Sequence, residues 1–382
     1  MTGAAGGMRI LHIESSKNWG GQEYGILEQI RWLVDHGHEA AIAAPHDSEI
    51  VARARTWGLP AHPVDFRGSF APKAIAQIRR LVRSGRFDVI DVHGAHAAAT
   101  VGCAADLCRV VRSLHVYQPQ EKAVLRRLIW RWGCHHAVVR AHCVKDQLVA
   151  LRFKRAEDIT VVGSWAAPEF FHDDSTGTER SGVRAEWGMS PDDILVALVG
   201  MLRPDKGHRH FIGAAARYLK TRQDAFFLIV GEAPAAYREY EAGLRRTVGR
   251  LGLDSRVIFT GYRHDVARVL RAVDVAVIAS DGVEAQPRMV AQAFAARVPL
   301  IAARVGGVPE LVVHRETGWL VEIGDEAGTA AALTDVLSNR SERERVAAQA
   351  RRFAERELTL DRKMAETLAA YDAGPRRPRG QV

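Results

Sequence analysis

The sequence predicts an α/β protein of two Rossmann-like, doubly wound domains facing each other across a cleft. Three observations carry that expectation. Short apolar runs alternate with helical patterns along almost the whole chain, the signature of parallel sheets with helices on both faces. The alternation breaks once, in the polar stretch FFHDDSTGTERSG, and then starts again. The length, 382 residues, suits two domains better than one.

In the first half RILHIE reads as a strand. A helix follows from about Gln22 to Asp35, with Ile26, Leu27, Ile30 and Leu33 at helical spacing and Gly37 as a left-handed cap. EAAIAAP, FDVIDVHG, VVRSLHV, HAVVRAH and DITVVGS continue as strands. The second half offers DILVALVGM, AFFLIVGE, RVIFTGY, DVAVIAS, PLIAA and GWLVE. After Asp325 the pattern is helical only, and the tail PRRPRGQV reads as disordered. The expected bounds are an acceptor domain at 8–172, a donor-binding domain at 190–358, and a C-terminal helix and tail at 359–382. A linker near 171–190 joins the two domains.

Composition narrows the function. Hydrophobic residues make up 47% and charged residues 26%, ordinary values for a globular protein. The net charge of +8 suits phosphate-bearing partners, although a solvated basic surface accounts for most of the excess. The basic residues are scattered and no nucleic-acid motif appears, so no nucleic acid is expected as a partner. The four cysteines form no CxxC pair. CHHAVVRAHC has a strand at its centre, whose alternating side chains argue against a metal site. No apolar run reaches the roughly 18 residues of a membrane span, and MTGAAGGMRI lacks the features of a signal peptide. The expected location is a reducing cytoplasm.

Ligands of doubly wound sheets bind where strands run out into loops. Four motifs sit at such places. In SSKNWGGQEYG, Gly20 and Gly21 precede a helix and let backbone N–H groups approach an anion; an ordinary glycine turn reads equally well. In DVHGAH, His93 ends a strand, and His115 ends the next strand, in VRSLHV. In VGMLRPDKGHRHF, Arg203 and Lys206 flank a turn before a helix, an arrangement suited to a diphosphate, with a solvated loop as the alternative. In GVEAQPRMVAQAFAARVPLIAARVGGVPE, Glu284 precedes a helix that contains Gln292, and Gly306–Gly307 follow the next strand. An acid, an amide and a bare turn suit a sugar, a ribose and a diphosphate in that order.

In this order the motifs resemble the retaining nucleotide-sugar glycosyltransferases of family 4, which have the GT-B fold. The resemblance runs from about Met8 to Tyr371. WGGQEYGILEQIRWLVDHGHEA is similar to the family's glycine loop and first helix, RPDKGH to its basic loop, and VGGVPELVVHRETGWLVEIGD to its most specific stretch. Three departures stand out. Gln292 replaces the second of two glutamates. Arg203 lies two residues beyond the usual arginine position, which Met201 occupies. GSWAAPEFF replaces an NG-x-D turn.

The resemblance implies transfer of a hexosyl or heptosyl group from a nucleotide diphosphate sugar, with retention and without a metal or other cofactor. It implies that Arg203, Lys206, Gly306 and Gly307 meet the leaving diphosphate. Glu284 would lie near the sugar, Gln292 near the ribose, and His93 in the catalytic site, with His115 matching a second histidine. The acceptor implied is a saccharide or lipid-linked glycan of the lipopolysaccharide or cell-envelope kind. EKAVLRRLIWRWG, with its arginines and tryptophans, suits the inner face of an anionic membrane, or a helix buried on one face. A catalytically weak or inactive sugar-nucleotide-binding protein is the alternative that Gln292 raises. A sugar-nucleotide epimerase of similar shape fits the basic loop less well.

Overall fold

The computed structural model describes residues 7–66, 71–115, 124–190, 192–282 and 284–373. It divides into two compact units, Met1–Gly163 with Asp361–Val382, and Ser164–Leu360.

The first unit holds a seven-stranded parallel sheet: β1 Arg9–Ile13, β2 Glu39–Ala44, β3 Ala61–Pro63, β4 Val89–Val92, β5 Arg109–Leu114, β6 His136–Val139 and β7 Ile159–Val161. Its order is β3-β2-β1-β4-β5-β6-β7, so the winding reverses between β1 and β4. Ile10, Leu11 and Ile13 are fully buried, as expected of a strand covered on both faces. Strand β3 was not among the expected strands: it is three residues long, lies at the sheet edge and ends in proline. The first helix spans Gly21–Asp35, and Gly37 follows with φ 82°.

The second unit holds six parallel strands: β8 Ile194–Val199, β9 Ala225–Val230, β10 Val257–Gly261, β11 Val275–Ile278, β12 Leu300–Ala303 and β13 Trp319–Val321. The order β10-β9-β8-β11-β12-β13 reverses between β8 and β11. Along β8, Leu195 and Ala197 enter one core while Val196 and Leu198 enter another. The period-two alternation of strand side chains thus feeds two helical layers.

Two expectations about domain bounds are corrected. The stretch read as a linker belongs to the second unit, where Thr178–Ala185 is a helix. Arg180 and Arg184, one turn apart, each donate to the Asp274 carboxylate at 2.6 Å, so the polarity of this stretch is paired internally. The first unit therefore closes at Gly163 instead of residue 172. The final helix, Leu360–Asp372, belongs to the first unit, where the Tyr371 hydroxyl donates to Asp91 Oδ2 at 2.6 Å. The expected tail lies outside the described residues.

Candidate active site

In the second unit three loops leave neighbouring strands on either side of the β8–β11 reversal. The loop after β8 carries Arg203 and Lys206, a 3-10 turn over Pro204–Lys206, and then the helix His208–Leu219. Gly207 (φ 69°) and Gly306 (φ 51°) draw two of these loops against the third. A Cβ on Gly207 would stand 1.7 Å from the Ala279 carbonyl oxygen, and one on Gly306 1.7 Å from that of Glu284. Only glycine permits both the approach and the left-handed backbone.

The polar groups of this centre are paired with one another. Glu284 is buried, and its Oε1 accepts from Lys206 Nζ and from Ser280 Oγ at 3.0 Å. Arg203 forks onto Asp205, with Nε and Nη2 at 3.0 and 2.5 Å from the two carboxylate oxygens. Burial works to raise the Asp205 carboxyl, but the Arg203 fork and charge outweigh it and hold it below its ordinary value. Arg203, Lys206, Glu284 and Gly306 are thus brought together. Gln292 lies in the helix Arg288–Ala295, half-buried, and its side chain makes no hydrogen bond among the described residues.

Gly307 departs from expectation. Its N–H donates to the Ala285 carbonyl at 2.6 Å, so this amide is already committed; the left-handed turn at Gly306 aims it inward. The sequence reading also passed over Gln286. Its buried amide accepts from Ser164 N at 3.1 Å and donates to Glu310 Oε2 at 3.3 Å, while Ser164 Oγ donates to its carbonyl at 2.5 Å. These bonds anchor the start of the divergent GSWAAPEFF loop. The signal available was an amide two residues beyond Glu284.

In the first unit the β1–β4 reversal gathers histidines. His12 Nδ1 lies 3.0 Å from His93 Nε2, and His93 Nδ1 lies 2.8 Å from His115 Nε2. Arg140 Nε donates to His115 Nδ1 at 3.4 Å and Nη1 to the Val162 carbonyl at 3.2 Å. Burial pushes His12 and His93 down to about 3; the charge of His93 adds to this at His12 while Asp91 opposes it, and Arg140 adds to it at His93. Both rings are therefore neutral near pH 7. His12, with β1 in RILHIE, was not singled out from sequence. His93 is more enclosed than expected, because both its ring nitrogens are engaged by histidines.

His12, Asp91 and His93 present donor atoms within 4.8 Å of one another. The two rings lie 4° from parallel, with centroids 5.3 Å apart and nitrogens 3.0 Å apart. They meet end to end, so the N–H of one ring points at the lone pair of the other. That is the geometry of an N–H···N hydrogen bond; two metal ligands would direct their lone pairs to a third point. The groups of CHHAVVRAHC also fail to converge. His135 Nδ1 accepts from Val110 N, His136 Nε2 bonds Thr160 Oγ1, and Cys134 Sγ donates to the His136 carbonyl.

At the glycine loop, Gly20 caps the first helix in an extended conformation. Two buried acids flank the loop. Glu14 accepts from Ser15 N, Ser16 N and Gln22 Nε2 at 2.7, 2.8 and 2.6 Å. Burial, reinforced by the Glu14 charge, pushes Glu23 up to about 7. The anion site expected at Gly20 and Gly21 thus stands among carboxylates, which favour a hydroxyl-bearing ligand over a phosphate. Of the basic, tryptophan-bearing stretch, the helix Val124–Trp132 is described. Trp130 is buried beneath Arg112, and Trp132 is 68% exposed. Among the described residues no helix is long and apolar enough to cross a membrane.

Comparison with known proteins agrees with this architecture. Residues 19–165 match the model of Glycosyltransferase Family 4, and residues 180–353 that of Glycosyl transferases group 1. The N-acetyl-alpha-D-glucosaminyl L-malate synthase of Bacillus anthracis is 30% identical over 161 residues, 42% of this chain and 40% of that protein. The alpha-D-kanosaminyltransferase of Streptomyces kanamyceticus is 28% identical over 236 residues, 58% of each chain. The matched part thus spans roughly half the length of such relatives. Among solved structures, Anabaena HepE in complex with UDP and glucose superposes with a TM-score of 0.82 at 19% identity, over 96% of this chain and 100% of that one. A glycosyltransferase from Rickettsia africae gives 0.86 at 17% identity, over 96% and 98%. Two stretches of the chain, 19–165 and 180–353, thus match glycosyltransferase models, on two Rossmann-like units of the GT-B fold.

Proposed function

We propose that the protein transfers a sugar from a nucleotide diphosphate sugar to a saccharide or lipid-linked acceptor, with retention at the anomeric carbon. The observation that carries this reading is the pairing of Lys206 with Glu284 at the β8–β11 reversal, beside Arg203 and the Gly306 turn. A departing diphosphate needs cations, and this centre offers two. The ligand's negative charge takes over Lys206 and Arg203 from Glu284 and Asp205. Glu284 then turns to the sugar hydroxyls, and Gln292 meets the ribose. Attack comes from the leaving-group face, and the phosphate oxygen takes the acceptor's proton. The chain's own cations carry the leaving charge, so no metal is required.

Glu14, Gln22 and Glu23 supply acceptors and donors for a hydroxyl-rich acceptor in the first unit. The relatives support a glycosyl donor, and the HepE complexes support UDP and a hexose. The fold shared with WaaG, described as involved in lipopolysaccharide biosynthesis, is compatible with an envelope glycan made at the inner face of the membrane. A donor-binding protein without transfer is the second reading, favoured by the loss of charge at Gln292.

A panel of nucleotide diphosphate sugars, scored by thermal shift and by donor hydrolysis, tests the proposal. One donor is expected to stabilise and be slowly hydrolysed by the wild type. Stabilisation without any turnover selects the second reading, and no shift with any donor removes both.

A further inference from the structure

We propose that Arg140 sets the direction of one hydrogen-bond chain, Arg140 to His115 to His93 to His12, and thereby fixes all three imidazoles with their proton on Nε2. A guanidinium only donates, and a neutral imidazole has one donor and one acceptor nitrogen. Arg140 Nε donates to His115 Nδ1 at 3.4 Å, so that nitrogen accepts and the His115 proton sits on Nε2. His115 Nε2 is 2.8 Å from His93 Nδ1, which therefore accepts. The His93 proton is then on Nε2, 3.0 Å from His12 Nδ1, and the same step places the last proton on His12 Nε2. The reverse order would press an imidazole N–H against the Arg140 N–H.

One further contact fits this direction. Asp91 Oδ2 lies nearer His93 Nε2, where the chain places a proton, than His12 Nδ1, which it leaves bare, at 3.7 against 4.0 Å. Tyr371, from the helix Leu360–Asp372, donates to the same oxygen and opposes the burial that raises Asp91. The chain ends at His12 Nε2, which is buried with no hydrogen-bond partner, so the direction set by Arg140 comes at the cost of one unanswered N–H. The groups facing the wire come from β1, β4, β5, the loop after β6 and the final helix. Burial keeps His12 and His93 neutral.

The inference deepens the glycosyltransferase reading. His115 is the least buried of the three histidines. Arg140 and His93 engage both of its ring nitrogens, so it faces sugar or acceptor with its ring edge, and His93, His12 and Arg140 are positioning residues that hold that edge in place. The wire itself does not depend on that reading.

The test is 15N NMR of histidine-labelled protein, with ring signals assigned from single His→Asn variants. At pH 7 the wild type is expected to show protonated Nε2 and bare Nδ1 on all three rings. In Arg140→Met, His115 and His93 should lose the single tautomer, and Arg140→Lys, which restores a donor, should recover it. An Nδ1–H tautomer or an imidazolium at wild-type His93 overturns the proposal, as does an unchanged spectrum in Arg140→Met. The wild-type spectrum decides even if a variant does not fold. With an active donor, Arg140→Met should lower kcat about tenfold and leave KM for the donor unchanged. Failure of the wild type to turn over any donor sinks the enzymatic reading, while the spectra still judge the wire.

Discussion

The ammonium of Lys206 rests on the buried carboxylate of Glu284, 78 residues further along the chain. The pair joins the loops after β8 and β11, so the side chain assigned to the diphosphate also holds these two loops together. Lys206→Ala should abolish transfer and, by stranding a buried carboxylate, cost about 2 kcal/mol of stability. Adding Glu284→Gln should restore most of that stability without restoring transfer. Urea titration beside a transfer assay reads both, and an active Lys206→Ala enzyme would remove the lysine from the proposed chemistry.

Gly306→Ala should be destabilising without touching any charged group. Its Cβ would strike the Glu284 carbonyl, on a backbone that L-residues avoid. A loss of at least about 2 kcal/mol is expected, with donor affinity falling in parallel. Calorimetry showing wild-type affinity would mean that the turn does not shape the site.

Glu23 should make stability fall as pH rises. Its folded value is raised from 4.5 to about 7, so its contribution is fully present below 4.5 and is lost as pH climbs through 7. Glu23→Gln should gain up to about 3 kcal/mol over the wild type at pH 8, and the difference should vanish by pH 4. Denaturation midpoints at the two pH values check the sign. A variant equally destabilised at both would show that the acid is held by its bonds and not penalised by burial.

The buried histidines act in the opposite direction. His12 is lowered from 6.5 to about 3, so its contribution is present above 6.5 and is lost as pH falls toward 3. The slope is about 1.4 kcal/mol per pH unit while the unfolded ring alone is protonated. Asp91, raised by burial, works against this, so the informative quantity is the difference between variants at each pH. Between pH 6.5 and 4, His12→Asn should lose less stability than the wild type by about 3 kcal/mol. Parallel acid titrations would exclude a neutral buried ring.

The strands and the residues at their ends were legible because periodicity and turn chemistry are local. Arg203, Lys206, Glu284 and Gly306 could be named because each lies at a strand end, where doubly wound sheets bind ligands. What escaped was partnership across the sheet. His12 reads as one more residue of an apolar strand until β4 lies beside it. Gln286 looks like a surface amide until Ser164 and Glu310 reach it. Gly307 reads as a free donor until Gly306 folds its amide back on Ala285. The stretch around Arg180 and Arg184 looked like linker because its polarity is answered by Asp274, some 90 residues away.

The last helix has a bearing on how the molecule comes into being. Tyr371 reaches Asp91 across 280 positions of chain, so the amino-terminal half emerges from the ribosome long before the piece that covers its buried carboxylate. Until then that half is an unfinished body, closed only when the helix Leu360–Asp372 arrives. A fragment ending at Gly163 would keep all seven strands and lack that closure.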